Sequence, residues 1–308
     1  MDSHVHLRQV GMDLDGVTLF DARSIDDILD AIGGEAASLL DGERVLAGWG
    51  WHESQLVESW LPTRSDLDEV SSDNPVYIPR GAHVAVLNSA GLDRVGIDTT
   101  TSDPDGGTIV HDPETDEPNG VVLETARTEL VDPVLPDHGY EEYVADIERA
   151  ITELNARGVT AAMEPGMERS EHRAFQQVAV EGDATVRTDA LVRVYGTDDV
   201  KDGGSYFYRD FGNGLLKVGG VKYMLDGGVE GARLSEPYRV VEGIQEQDGY
   251  QGHFLLPEGG VDELKEMYRL AAERGHQVQT HVVGDAAIET VVDAYEAASD
   301  VRDLEPLR

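Results

Sequence analysis

The 308-residue chain contains no cysteine, which excludes disulfides, thiolate zinc sites and cysteine nucleophiles. Lysine is nearly missing as well: four lysines (Lys201, Lys217, Lys222, Lys265) stand against twenty arginines. Together these 24 basic side chains face 61 acidic ones, for a formal charge of −37. A chain so short of cations lacks the clusters that bind phosphate, so neither nucleic acid nor an anionic membrane is expected as a partner. No apolar run approaches the ~20 residues of a membrane helix. The start Met1-Asp2-Ser3-His4 also lacks the basic-then-apolar pattern of a signal peptide, so a cytoplasmic location is expected.

What is present argues for a folded protein. Apolar residues make up 40% of the chain, too many for a disordered polyanion. The acid excess with arginine preferred over lysine reads as a halophile's surface, kept soluble where salt screens charge within about 3 Å at 1 M. That reading concerns habitat and assigns no ligand.

The second half alternates between two periods. Tyr143, Val144, Ile147, Ile151 and Leu154 recur at helical spacing, with Gly158 where a C′ glycine belongs. Strands are expected at Val159–Met163, Val186–Tyr195, Val218–Asp226 and Val278–Val283. Between the last two, Val261, Leu264, Met267, Tyr268 and Ala271 mark a helix closed by Gly275. Asp285 can cap a final helix that turns Ile288, Val291, Val292 and Tyr295 inward. Such alternation implies βα units and a parallel sheet. Residues 20–140 differ, being rich in Pro, Gly and Asp with short segments such as Val45–Trp51 and Pro75–Ile78. They read as an α+β subdomain inserted between the first strand and a helix at 141–157, which leaves 1–19 and 141–308 as the main domain.

Three local patterns carry chemistry. In Asp2-Ser3-His4-Val5-His6-Leu7, histidines two apart on a strand point to one face, so both imidazoles can reach one metal ion; two exposed histidines are the plainer alternative. His281 ends a predicted strand, where functional residues of parallel α/β folds sit, although taken alone a satisfied core histidine is the favoured reading. Lys222 falls in mid-strand, sharing a face with Met224 and Asp226 opposite Val221, Tyr223 and Leu225. A lysine there is costly to bury charged, unless it reaches outward to an acidic neighbour. Trp49, Trp51 and Tyr77 read as core before they read as a substrate platform.

Taken together, Asp2–Leu7, Val221–Gly228 and His281–Ile288 resemble the metal-dependent amidohydrolase superfamily, and its family-3 branch in particular. Gly48-Trp49-Gly50-Trp51, His83-Val84-Ala85-Val86-Leu87-Asn88 and Asn119-Gly120-Val121-Val122-Leu123-Glu124 extend the likeness in order along the chain. The resemblance implies a (β/α)8 TIM-type barrel, here partial with about strands 1–5, carrying the inserted subdomain between strands 1 and 2. It implies that His4 and His6 are strand-1 metal ligands, Lys222 a strand-4 ligand as an N-carboxylated lysine, and His281 the strand-5 ligand. The cofactor implied is one or two divalent ions, zinc foremost. His83, Glu124 and Asp226 become candidate substrate contacts.

The likeness also has gaps. The family pattern continues with a strand-6 histidine and a strand-8 aspartate that have no counterpart here, so no catalytic proton carrier is assigned. The chain ends at Leu304-Glu305-Pro306-Leu307-Arg308, where relatives lead into strand 6, as a shortened or interrupted barrel would. The expected activity is hydrolysis of an amide or other non-peptide C–N bond in a small-molecule substrate by metal-activated water. The alternative is a non-catalytic or regulatory relative that has lost those two residues; a phosphoesterase is a weaker third reading. A homo-oligomer is left open.

Overall fold

The computed structural model describes residues 1–135, 139–203, 212–239 and 249–299. Leu304–Arg308, expected to lead toward a sixth strand, lies outside these residues. The helices are α1 (Leu7–Asp15), α2 (Ile25–Ala36), α3 (Arg64–Val70), α4 (Ser89–Val95), α5 (Tyr140–Ala156), α6 (Arg169–Glu181), α7 (Gly260–Glu273) and α8 (Asp285–Ser299). The strands are β1 (Val45–Leu46), β2 (Val76–Arg80), β3 (Val84–Leu87), β4 (Gly107–His111), β5 (Pro118–Glu124), β6 (Ala161–Met167), β7 (Arg187–Arg193), β8 (Leu216–Met224) and β9 (Gln277–His281). None of these helices is long and apolar enough to cross a membrane.

Two compact units form. One gathers Met1–Gly11, His138–Ser235 and His253–Arg308; the other Met12–Asp137 and Glu236–Gly252. The first is built on the parallel sheet β6-β7-β8-β9, with α5 after the N-terminal segment and further helices between and after the strands. Each helix exists because its apolar residues share a stripe. Ile147, Ile151 and Leu154 of α5 pack with Phe175 and Val178 of α6 against Ala190 and Val192 of β7. Leu264, Met267, Tyr268 and Ala271 of α7 cover Val221 and Tyr223 of β8. Burying each such side chain contributes roughly 1.5–3 kcal/mol. Gly158 ends α5 with φ of 74°, the left-handed value a C′ glycine takes. Gly220 lets β9 close on β8, because a Cβ there would lie 2.0 Å from the Gln277 carbonyl oxygen.

Two expectations are corrected. Residues 3–7 do not form a strand. A single parallel bridge joins Asp2 to Ala162, and α1 begins already at Leu7. The reason is a long-range contact: the Glu164 carboxylate accepts the Leu7 amide at 2.6 Å, which stabilises the first turn of a helix and ends the ladder. In α8 the inward stripe is Ala287, Val291, Ala294 and Ala298, while Ile288, Val292 and Tyr295 are exposed. The larger apolar residues are thus on the wrong arc of the helix, and small alanines make its contact with the core.

The second unit is a five-stranded mixed sheet in the order β1-β2-β3-β5-β4, parallel only between β1 and β2. Both its faces are covered. Val76, Ile78, Val84 and Val86 face α2 and α3, and Tyr77, Ala85, Leu87 and Val122 face α4 and the turn ending at Val131. Trp51 is core, as expected, and its indole N–H donates to the Pro79 carbonyl at 2.9 Å.

Candidate metal centre

Lys222 stands in β8 between Arg193 of β7 and Gln279 of β9, each its register partner. Its face is the one predicted, since Val221 and Tyr223 go into the core beneath α7. The residue is only 6% exposed, and its side chain makes no hydrogen bond or ion pair with any described residue. Burial pushes the amine well below the ordinary lysine range, and the neighbouring Arg193 charge pushes it the same way. Burying an ammonium without a partner costs free energy, which is the physical origin of that downward shift.

The two N-terminal histidines are brought alongside by backbone hydrogen bonds to β6. The Asp2 amide donates to Ala161 at 2.9 Å and the Val5 amide to Met163 at 3.0 Å. His4 and His6 then meet edge to face with ring centroids 5.5 Å apart. His6 Nδ1 lies 3.1 Å from Glu164 Oε1, and the carboxylate's other oxygen holds the Leu7 amide. Glu164 is 3% exposed, and burial raises its pKa against the opposing pull of His6. Burial lowers the pKa of His4, and Lys222, His6 and His281 add to that through their charge while Asp2 opposes it. Gly166 leaves the space between: a Cβ there would lie 3.8 Å from His6 Cε1 and 4.0 Å from Lys222 Cγ.

His281 ends β9, and its Nε2 is 3.1 Å from the Gly227 carbonyl oxygen. Asp226 is fully buried and its carboxylate accepts the amides of Arg233 (3.1 Å), Val283 (3.0 Å) and Gly284 (2.7 Å). It therefore braces the loops on either side of His281. His83 and Glu124 belong to the second unit, where His83 Nδ1 meets Glu124 Oε2 at 2.9 Å and Glu124 sits at φ of 53°.

Sequence reasoning missed Glu164 and Arg193. Glu164 was visible as the single acid in the otherwise uncharged Ala161–Met167. Arg193 ends β7, and its Nε is buried with no hydrogen-bond partner among the described residues. Among the described residues, the three His, Asp or Glu donors already within 4.8 Å of one another are Glu148, Glu181 and Asp183. These are surface carboxylates, two of them exposed, as an acid-rich surface readily produces.

The donors around Gly166 suit a divalent cation better. Imidazole nitrogens and an uncharged or carboxylated lysine are ligands that zinc and similar ions accept, whereas an ammonium is not. Ligating imidazoles are commonly held in one tautomer by a carboxylate on the other ring nitrogen, and Glu164 stands at that position on His6 Nδ1.

Comparison with known proteins agrees with this chemistry. The amidohydrolase family profile matches residues 1–308. The Bacillus subtilis protein named "putative amidohydrolase YtcJ" is 29% identical over 96% of the chain and 54% of its own length. An N-substituted formamide deformylase of Arthrobacter pascens is 27% identical over 96% of the chain and 55% of its length. The solved structure of an uncharacterized metal-dependent hydrolase from Pyrococcus horikoshii superposes with a TM-score of 0.63 at 26% identity, over 97% of this chain and 56% of that one. The chain thus spans about half the length of the relatives it matches.

Proposed function

The chain belongs to the amidohydrolase family, and from that premise we propose that His4, His6, Lys222 and His281 are the metal ligands of a hydrolase acting on an amide or other non-peptide C–N bond. The observation that carries the reading is the buried, unpaired Lys222 beside His4. The deformylase among the relatives supports the choice of a C–N bond. In this reading the parallel sheet is the first part of a (β/α)8 barrel, residues 1–19 and 141–308 belong to that barrel, and residues 20–140 are its insertion.

The residues take distinct roles. Glu164 accepts the His6 Nδ1 proton, which leaves the Nε2 lone pair for a cation. Lys222, as a neutral amine, adds to carbon dioxide to give a carbamate and release a proton, so the buried position becomes an anion facing the cation. When bound, one or two divalent ions, zinc by donor type, polarise the substrate carbonyl and lower the pKa of water. Arg193, one strand away, holds a positive charge beside that anion. Asp226 positions His281 through the loop amides it gathers. His83 and Glu124 enter as substrate contacts through the family likeness alone. The partner is a small molecule, in keeping with the negative charge of the chain.

Metal content and amide-hydrolysing activity of the whole protein, compared with His4→Ala and Lys222→Ala, test this. Both variants should lose bound metal and activity together; undiminished metal in both would sink the assignment.

A further inference from the structure

The second unit contains a cavity of about 470 Å³, within the size range of small-molecule sites. Its walls are mostly apolar: Leu46 and Tyr77 from β1 and β2, Leu87 at the end of β3, Val95 of α4, and Val131 and Leu135 from the turns that follow β5. The Tyr77 hydroxyl is not available to a ligand as a free group, since it donates to Asp132 at 3.0 Å and accepts from Arg127 at 2.9 Å.

Two arginines complete the lining, Arg44 just before β1 and Arg94 in the last turn of α4. Neither guanidinium makes a hydrogen bond or ion pair with any described residue. Arg44 feels partial desolvation and then the charge of Arg94, both of which disfavour its cation. The one acid in the lining, Glu43, does not relieve them, because its carboxylate accepts the Leu40 amide at 2.8 Å. In a chain with 61 acidic residues against 24 basic ones, two neighbouring solvent-facing arginines paired with no carboxylate of the described residues leave their donors open to an anion. Arg94 gains something from the C-terminal end of α4, but Arg44 has no such helix end.

We propose that this cavity binds a small amphipathic carboxylate, its head group on Arg44 and Arg94 and its apolar body against Leu46, Leu87, Val95 and Val131. The site lies wholly within the second unit and is independent of the metal ligands.

Calorimetric titration of the whole protein with octanoate tests it, at one fixed salt concentration that keeps the protein folded. Octan-1-ol and octylammonium share the tail and serve as head-group controls. Octanoate should bind at one site, the two controls at least about tenfold more weakly, and the R44Q/R94Q variant should weaken octanoate by about tenfold or more, the loss expected for charge-assisted hydrogen bonds. Both substitutions lie on exposed side chains, and circular dichroism checks that the variant keeps its fold. Absence of octanoate binding, equal binding of the three probes, or unchanged binding in R44Q/R94Q would each overturn the proposal.

Discussion

Two buried sites, one in each unit, treat their polar groups in opposite ways. Around Asn88 and Arg127 of the second unit they are saturated. Asn88 is fully buried, its Oδ1 accepts the amides of Val76 (2.9 Å) and Gly91 (2.8 Å), and its Nδ2 donates to the carbonyls of Ser71 (2.6 Å) and Asn74 (3.0 Å). Arg127, also buried, is held by the Tyr77 hydroxyl at 2.9 Å and the Gly81 carbonyl at 2.7 Å. In the first unit the parallel sheet carries Lys222 without a partner among the described residues, and none of these satisfies Arg193 Nε. A saturated network specifies a fold, whereas an unsatisfied buried group destabilises it and persists where something else completes it. The contrast is in keeping with the metal site proposed in the first unit.

Substitutions can break or sharpen that contrast. The largest effect is expected from Lys222→Met, which should reduce metal affinity more than about a hundredfold, read by chelator competition. In metal-free protein the same change should leave unfolding stability within about 1 kcal/mol of the parent or raise it, because it replaces an unpaired buried amine by an apolar chain. A loss as large as that of a saturated residue would break the comparison. Asn88→Ala supplies that reference. It removes the partner of the Val76 and Gly91 amides and the Ser71 carbonyl, while the Asn74 carbonyl keeps the Ser71 hydroxyl, and should lower stability by about 2–4 kcal/mol in denaturant titrations, without changing metal content.

Glu164→Gln comes next. It should weaken metal binding by about 10–100-fold, since a carboxamide holds the His6 imidazole less firmly than a carboxylate does. The smallest effect concerns Glu168, whose pKa is raised by burial against the hydrogen bond it accepts from Tyr195. A carboxyl raised in the folded state contributes stability that is complete below the unfolded value of 4.5 and is lost as pH rises through the folded one. Unfolding midpoints measured upward from about pH 5 should therefore decline less in Glu168→Gln than in the parent. An equal decline in the two proteins would show that Glu168 carries none of that slope.

Much of the fold was legible from period alone. The strands around Arg187–Arg193, Leu216–Met224 and Gln277–His281, and α5 and α7, follow the apolar pattern, and His281 does end its strand. What escaped depends on contacts far apart in sequence. The helix start at Leu7 is decided by a carboxylate 157 residues away, and no window around residues 3–7 contains that information. The filled carboxylate of Asp226 likewise depends on amides at 283 and 284, donated from the loop after another strand. In α8 the pattern was real but its phase was misjudged, because size was weighted over spacing and the alanine stripe was passed over. Lys222 was conspicuous for a compositional reason, being one of four lysines in an arginine-rich chain.

The most direct measurement is anomalous scattering from crystals of the whole, metal-loaded protein. Difference density bounded by His4, His6, Lys222 and His281, with Lys222 extended by a carbamate, is the predicted result. Metal found only elsewhere, as at Glu148, Glu181 and Asp183, beside an unmodified Lys222, would contradict the account.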